Sequence, residues 1–437
     1  MKKYNAIAVL LTAFTFTIMF ANGFALERNH DNEIISTQVR AIIKEQISGI
    51  RSSRKMRFAG EPIYAFEMLQ GLLPQQDNYS KLKQALSQYN KIMEKGGWPV
   101  ISGGQTLKKG MQDKRIHEIR YRLGVSGDLD SSEIQKGDFF DEALEEAVIR
   151  FQKRHGLAAD GIAGPAFLKA LNVTAEERIR QIELNLERLR WISRDLGRRY
   201  VAVNIADFEL DVVEDGHIII SMKVIVGKAY WHTPVFSENM TYLVLNPAWN
   251  VPKSIAVKEI IPKVRKDPEY LEKNNMKILK GWGKDQIEIS PHAINWAELS
   301  PGAFTYRFRQ EPGPQNPLGR IKFMFPNRFN VYLHDTPYKA LYEKKVRTFS
   351  HGCIRIEKPI ELAEYLLKGD PNWSREKILA AIDEKTTRNI PIPEPIKVYI
   401  LYLTAWVDEY GVLQFRDDIY GRDRVLYKAL RKNPLRD

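Results

Sequence analysis

The sequence predicts a multidomain α+β protein, helical in its first part and mostly β in its second. Three observations carry this expectation. Up to about residue 196, apolar side chains recur at helical spacing, as in Ile116, Ile119 and Leu123 or Leu144, Ala147, Val148 and Phe151. From Tyr200 onward, short β-branched runs alternate with turn signals such as Asp215-Gly216. The length, 437 residues, suffices for two or three separate cores.

Composition excludes several classes. Hydrophobic residues make up 44% and charged residues 27%, ordinary for a globular chain. With 27 glycines and 22 prolines, collagen-like and Pro/Gly low-complexity chains are excluded, and no fixed-period repeat is visible. A net charge of +12 favours anionic surroundings (nucleic acid, a lipid face or an acidic polymer) without choosing among them. The single cysteine, Cys353, excludes an intramolecular disulfide and a Cys-rich zinc site.

Residues 1–25 read as a secretory signal peptide. Lys2 and Lys3 precede an apolar run from Ala6 to Phe20, followed by the small residues Ala21, Gly23 and Ala25. That run is shorter than the ~20 residues a spanning helix needs, so cleavage near Gly23 or Ala25 is expected, with retention as an uncleaved anchor the alternative. No cysteine lies nearby to take a lipid, so the chain is expected to be exported to the cell envelope, with the periplasm as its destination. A lone thiol sent into an oxidising compartment is a liability unless it has a task, which draws attention to Cys353.

Residues 26–97 read as a helical scaffold, with Ile42, Ile43, Ile47 and Ile50 on one face. The stretch from Trp98 to Gly104 is a break. Residues 98–173 form a small unit in which Ser126-Gly127-Asp128 separates two helices and Asp160-Gly161 leads to a third, with Pro165 in its first turn. Residues 174–196 are a connecting helix opened by a Thr174/Glu177 capping box. Strands are expected over 200–205, 208–213, 217–226, 241–245, 321–325, 330–334 and 397–407, so residues 197–407 form a mostly-β domain. Residues 254–303, rich in Lys and Glu, are a helical insertion placed to act as a lid or as structural elaboration. Residues 408–437 are a C-terminal extension.

The chemistry concentrates in two segments. One runs Val331-Tyr332-Leu333-His334-Asp335-Thr336-Pro337; the other is Ser350-His351-Gly352-Cys353-Ile354-Arg355. Thiol catalysis needs a thiolate, and a neighbouring imidazole can take and relay its proton. Gly352 suits a tight turn offering backbone N–H groups to an oxyanion. Arg355 suits a substrate carboxylate.

Two resemblances follow. The sequence Phe151-Gln152-Lys153-Arg154-His155-Gly156-Leu157, with Asp160-Gly161 and Gly164-Pro165, resembles the small three-helix peptidoglycan-binding domain. The pattern His334, fifteen residues, then Ser350-His351-Gly352-Cys353-Ile354-Arg355 resembles the signature of the L,D-transpeptidase catalytic domain. Supporting it are Asn246-Pro247-Ala248-Trp249-Asn250-Val251-Pro252, Gly313 to Gly319, and the run from Leu403 through Tyr420. Together they look like the large envelope members that carry a peptidoglycan-binding domain. The resemblance implies a mostly-β L,D-transpeptidase domain with a helical insertion, preceded by a three-helix peptidoglycan-binding domain and a helical region.

It further implies Cys353 as nucleophile and His334 as general base, with a backbone carbonyl near Asp335 orienting the imidazole. The Asp335 carboxylate could be only a turn group. His351 is carried over as an auxiliary group that is not essential, since large members resemble this sequence with serine there. Gly352 and Cys353 N–H groups are oxyanion donors, and Ser350 and Arg355 contact substrate. Tyr332 and Trp249 either line the donor groove or simply pack. The implied partners are peptidoglycan stem peptides and glycan strands, with an envelope-protein lysine as a further acceptor; no metal or organic cofactor is implied. The export signal outweighs the charge as an argument about nucleic acid. Three rivals remain for comparison. A zinc peptidase would use His334, His351 and Cys353, but no His-Glu-x-x-His is present. A serine acyltransferase would need Lys-Thr-Gly, which is absent. A non-catalytic wall-binding protein would have no use for Cys353.

Overall fold

The computed structural model describes residues 77–192, 196–299 and 304–432. The expected signal peptide and the isoleucine face of residues 42–50 lie outside the described residues. The described end of the 26–97 region is a helix, α1 (Asp77–Glu94).

The next unit has the three expected helices, α2 (Arg115–Val125), α3 (Glu142–Arg154) and α4 (Pro165–Leu171), with Pro165 at the first helical position. Ile116, Ile119, Leu123, Leu144, Val148 and Phe151 form its dry core. The recognisable motif turns out to be structural glue. The Gln152 side chain donates to Asp160 Oδ1 (2.7 Å) and the Ile162 carbonyl (3.0 Å) and accepts the Gly161 N–H (3.0 Å). Gly161 has φ +71°, open to glycine at no steric cost. Arg154 grips Asp128 through two bonds of 2.6 and 2.5 Å, both partners buried.

A fifth helix, α5 (Ala175–Trp191), begins with the expected capping box. Thr174 Oγ1 accepts the Glu177 N–H at 3.2 Å, and the Glu177 carboxylate accepts the Thr174 N–H at 3.0 Å. Ile182, Leu186 and Leu189 of this helix pack against Leu82, Ala85 and Tyr89 of α1.

The β domain follows: β1 (Arg199–Asn204), β2 (Glu209–Glu214), β3 (His217–Gly227), β4 (Phe236–Leu245) and the short β5 (Trp249–Asn250). Asp215 and Gly216 both have positive φ, 51° and 82°, which matches the right-handed twist of a two-residue hairpin. The insertion is only half helical. It opens with α6 (Lys253–Ile255), a π-helical turn Ala256–Ile260, α7 (Ile261–Lys266) and α8 (Tyr270–Lys273). It then turns to strands, β6 (Met276–Lys280) and β7 (Ile287–Ile289), joined by Gly281 and Gly283 at positive φ. With β5 and β8 (Arg307–Gln310) they make a four-stranded sheet, ordered β5-β8-β6-β7. The Lys/Glu content hid a local alternation: Met276, Ile278 and Ile289 turn inward while Lys277 and Glu288 face water.

Beyond it lie β9 (Ile321–Met324), β10 (Leu333–His334), β11 (Thr348–Ser350) and β12 (Ile354–Ile356), helices α9 (Pro359–Leu366) and α10 (Arg375–Asp383), and the long β13 (Arg388–Leu401). The main sheet runs β11-β3-β12-β10-β9-β4-β13-β1-β2, and β3 also pairs with β2, so the sheet closes on itself. Its register slips between Pro391 and Ile396, where prolines cannot donate to the ladder. The expected strand 330–334 pairs only at Leu333 and His334, because Asn327 takes the Val331 N–H and carbonyl at 3.2 and 2.7 Å. The expected strand 397–407 is two. Thr404 turns its N–H to the Asn185 side chain of α5 (2.9 Å) and its carbonyl to Gln181 (2.9 Å), leaving β14 (Ala405–Val407) to pair with β15 (Leu413–Phe415).

That hairpin packs with α1 and α5, and a last helix, α11 (Arg422–Lys432), follows. Asp128→Ala should unfold more readily, by roughly 3–5 kcal/mol in urea titration, because Arg154 would be left buried without its carboxylate. Replacing both partners with apolar residues of similar size should recover most of that loss.

Candidate active site

The two chemical segments meet at the centre of the main sheet. Strand β10 sits between β9 and β12, with Leu333 opposite Phe323 and Ile354, and His334 opposite Lys322 and Arg355. Partners in a ladder point to the same face, and successive residues alternate. Leu333, Phe323 and Ile354 therefore fill the core, each fully buried. Lys322, His334 and Arg355 form a row on the other face, with Tyr332 two residues before His334 and Cys353 two before Arg355.

His334 is buried, and its Nδ1 lies 2.5 Å from the carbonyl of Asp335. A carbonyl can only accept, so Nδ1 carries the proton and Nε2 presents a lone pair. This is the orientation expected from the sequence. Burial, and then the charges of Arg355 and Lys322, depress the imidazole to about 3. The imidazole is therefore neutral near pH 7. The Asp335 carboxylate does not serve the histidine: Oδ1 takes the Lys339 ammonium (2.6 Å) and Oδ2 the Arg320 N–H (2.9 Å). Gly319 makes room for it, since a Cβ there would stand 2.5 Å from Asp335 Cγ.

Cys353 is half-buried, with Sγ 3.8 Å from the Asn330 carbonyl. Burial pushes the thiol up, while hydrogen bonds from Tyr332 and the charges of Lys322 and Arg355 pull it down. Tyr332 is thus brought to the sulfur through its hydroxyl, and its ring lies 5.7 Å from that of His334. Arg355 is mostly buried near Tyr338, its Nε without a partner. It faces the sulfur's side of the sheet, as a substrate-facing cation must.

Two expectations are corrected. The Gly352 N–H is not free for an oxyanion, because it donates to Ser350 Oγ at 3.1 Å. Ser350 is itself buried, and its hydroxyl donates to the Cys353 carbonyl at 2.5 Å, so both its capacities are spent on shaping the turn and none on substrate. The Cys353 N–H makes no hydrogen bond among the described residues, and it is the amide left to the oxyanion role. Gly352 keeps its conformational part, at φ +113°. Trp249 packs partly buried against the core of the insertion, where β5 joins β8.

His351 leaves the sulfur's row. Its Nε2 meets Glu259 Oε1 of the insertion at 2.5 Å, and its ring lies 3.8 Å from Trp231. Among the described residues, no three His, Cys, Asp or Glu side chains converge as a metal site requires.

Two further supports escaped the sequence reading. Lys322 is one; the only signal was an alternating strand, and the register that sets it opposite His334 is not written locally. The other is the loop 228–233. Thr233 Oγ1 donates to the Gly352 carbonyl (2.9 Å) and accepts the Gly227 N–H (2.9 Å). Tyr420, beyond the hairpin, donates to the Gly227 carbonyl (2.6 Å) and stacks on His232 (4.0 Å), while Arg422 donates to the Thr233 carbonyl (2.9 Å).

The chain is similar to known proteins over several stretches. Residues 198–373 match the family described as an L,D-transpeptidase catalytic domain, and residues 113–171 match the one described as "Putative peptidoglycan binding domain". The chain is 35% identical over 249 residues to a "Putative L,D-transpeptidase" of Haemophilus influenzae, covering 57% of this chain and 49% of that protein. It therefore spans about half the length of that relative. Over 71 residues it is 38% identical to a "Probable N-acetylmuramoyl-L-alanine amidase" of Bacillus licheniformis, covering 16% of this chain and 20% of the other. Among solved structures, an L,D-transpeptidase of Xylanimonas cellulosilytica aligns at 12% identity and TM-score 0.22, over 69% of this chain and 99% of that one. L,D-transpeptidase 3 of Mycobacterium tuberculosis aligns at 14% and 0.23, over 47% and 61%.

Two predictions follow from the site. Gly319→Ala should cost roughly 1–3 kcal/mol, since it adds left-handed backbone strain to a clash with Asp335; thermal melting checks it. Acid should destabilise the fold through its buried histidines. The unfolded chain takes up a proton near pH 6.5, while folded His334 does so only near 3 and His155 also well below its ordinary value. Stability should fall from pH 6.5 toward 3, by at most about 1.4 kcal/mol per pH unit for each group. Denaturant titrations at several pH values should show a shallower slope for His155→Gln or His334→Gln.

Proposed function

Starting from a chain that carries an L,D-transpeptidase catalytic domain behind a peptidoglycan-binding domain, we propose that the protein is an exported peptidoglycan L,D-transpeptidase working through a Cys353 thioester. The observation that carries the reading is the oriented pair: a neutral His334 with Nε2 free, and Cys353 on the same face of the sheet. The thiol attacks the carbonyl of residue three of a tetrapeptide stem, at its L-centre, and its proton passes to His334 Nε2. The carbonyl oxygen becomes an oxyanion held by the Cys353 N–H. As it collapses, the bond to the terminal D-Ala breaks, and the imidazolium returns the proton to the leaving amine.

The thioester is then attacked by an amine, which gives a proton to His334, and the thiolate leaves and recovers it. The side-chain amine of diaminopimelate on another stem gives a 3→3 cross-link. Water gives L,D-carboxypeptidase activity, a free D-amino acid gives exchange, and an envelope-protein lysine would be tethered to the wall. Because His334 holds a proton poorly, its imidazolium is short-lived, which suits a shuttle rather than a store. Arg355 is suited to a stem carboxylate, and the site is open to acylation by carbapenem-type β-lactams. The insertion acts as a lid, with Glu259 on His351 and Lys258 near Trp231 as its points of contact.

Glycan is expected in the cleft of about 730 Å³ lined by Lys81, Gln88, Arg150, Lys153 and Gln414. Its lining mixes these cations with Asp408 and with apolar side chains at Val407, Val412 and Leu413, and the cations suit the carboxylates of a peptidoglycan strand.

The test incubates mature protein, and Cys353→Ala in parallel, with disaccharide-tetrapeptide muropeptide, and reads products by mass spectrometry. Cross-linked dimers from the native protein alone are expected. Tripeptide alone would shift the reading to carboxypeptidase activity. A folded protein that gives no product and resists carbapenem acylation at Cys353 would leave only the wall-binding role. His334→Ala should lower turnover by at least about a hundredfold, the range of a lost general base.

A further inference from the structure

Lys322 has no part in the reaction just described, yet its setting is unlike that of a surface lysine. It faces His334 directly across the β9–β10 pair, on the polar side of the sheet. It is half-buried, and among the described residues its ammonium meets no carboxylate and makes no hydrogen bond. What it meets is the Tyr332 ring, 3.8 Å from Nζ to the centroid, and Tyr332 is in turn hydrogen-bonded to Cys353. Burial lowers the ammonium, and the one charge drawing it back up is that of the Cys353 sulfur. A partly buried cation without a partner is unfavourable, and such groups persist where an anion must be met.

The neighbouring imidazole cannot supply that counter-charge. His334 is buried between Lys322 and Arg355 and is neutral at rest, so a lasting thiolate–imidazolium pair is not available. Arg355, the other cation of the row, lies two residues from the sulfur in its own segment, near Tyr338, and adds to the same field. His351, in the nucleophile's own turn, is engaged by Glu259. The groups facing the sulfur are therefore Lys322 from β9, Tyr332 and His334 at β10, and Arg355 from β12.

We propose that Lys322 is a positioning residue which, stacked against the Tyr332 ring, stabilises the negative charge that develops on the Cys353 sulfur as its proton leaves. His334 then moves the proton, and Lys322 provides the standing positive charge that a neutral base does not. The inference rests on Cys353 as nucleophile, but its test does not need transpeptidation. Cys353 is the chain's single cysteine, so alkylation by iodoacetamide reports on it alone.

The experiment measures the alkylation rate of the full chain from pH 5 to 11, by intact mass, for the native protein, Lys322→Met, Lys322→Arg and Tyr332→Phe. The methionine variant should move the midpoint up by about one pH unit, slowing alkylation about tenfold near neutrality. The arginine variant should return it most of the way, and Tyr332→Phe should shift it in the same direction as methionine by less. A midpoint that stays in place in folded Lys322→Met would overturn the proposal. If the KM for tetrapeptide donor then rose instead, Lys322 would belong to carboxylate binding. Arginine shifting the midpoint as far as methionine would also overturn it, since charge would then not be the cause. Should Lys322→Met fail to fold, Lys322→Gln carries the same comparison. A Lys322-dependent midpoint in a protein that forms no cross-links would sink the proposed function and leave this inference standing.

Discussion

Everything in the site depends on two residues pairing on both sides. Strand β10 has only Leu333 and His334 in its ladders, yet their register decides which face each neighbour serves. A slip of one position would send His334 into the core and Leu333 to solvent. What prevents it is apolar burial: Leu333 locks among Phe323, Ile354 and the rest of a dry core that the closed sheet surrounds. The Asn327 side chain holds the segment before the strand, and the Asp335 carboxylate, spread over Arg320 and Lys339, holds the segment after it. The catalytic face inherits its order from the packing of the opposite face.

That order has an electrostatic consequence. Setting an imidazole between two cations makes it a weak acceptor of protons, an odd choice for a base unless proton transfer is brief. In the proposed reaction, a proton taken from the thiol is then returned readily to the departing amine. The same field favours charge on sulfur, so the two halves of a thiol–imidazole pair are tuned in opposite directions by the same residues. Burial opposes both charges, which keeps the resting site neutral.

Much of this was legible in the sequence. Cys353 and His334 stood out because the pattern from His334 to Arg355 resembles a known catalytic signature, and a carbonyl near Asp335 came with that resemblance. The hairpin at Asp215-Gly216 and the capping box at Thr174 were readable because their signals are local. What failed was non-local or depended on hydrogen-bond accounting. Gly352 and Ser350 were assigned outward roles, and only the hydrogen bonds of the turn reveal that Ser350 takes the Gly352 N–H and gives its own proton to the Cys353 carbonyl. The strands of the insertion were masked by Lys and Glu, whose alternation matters more than their abundance. Lys322 was invisible because strand register is set across the sheet. The motif Phe151 to Gly161 marked its domain correctly, but Gln152 earns its place by clamping a turn.

The anchoring of the 228–233 loop by Tyr420 and Arg422 has a temporal meaning. The family match ends at residue 373, and both anchors lie well beyond it. A chain emerging from its N-terminus would complete the strands that bear His334 and Cys353 before those anchors exist. Until they arrive, the loop that carries Thr233 is held from one side, by the Trp231 ring against His351 and Lys258. The turn that bears Cys353 thus takes its last support from the far end of the chain.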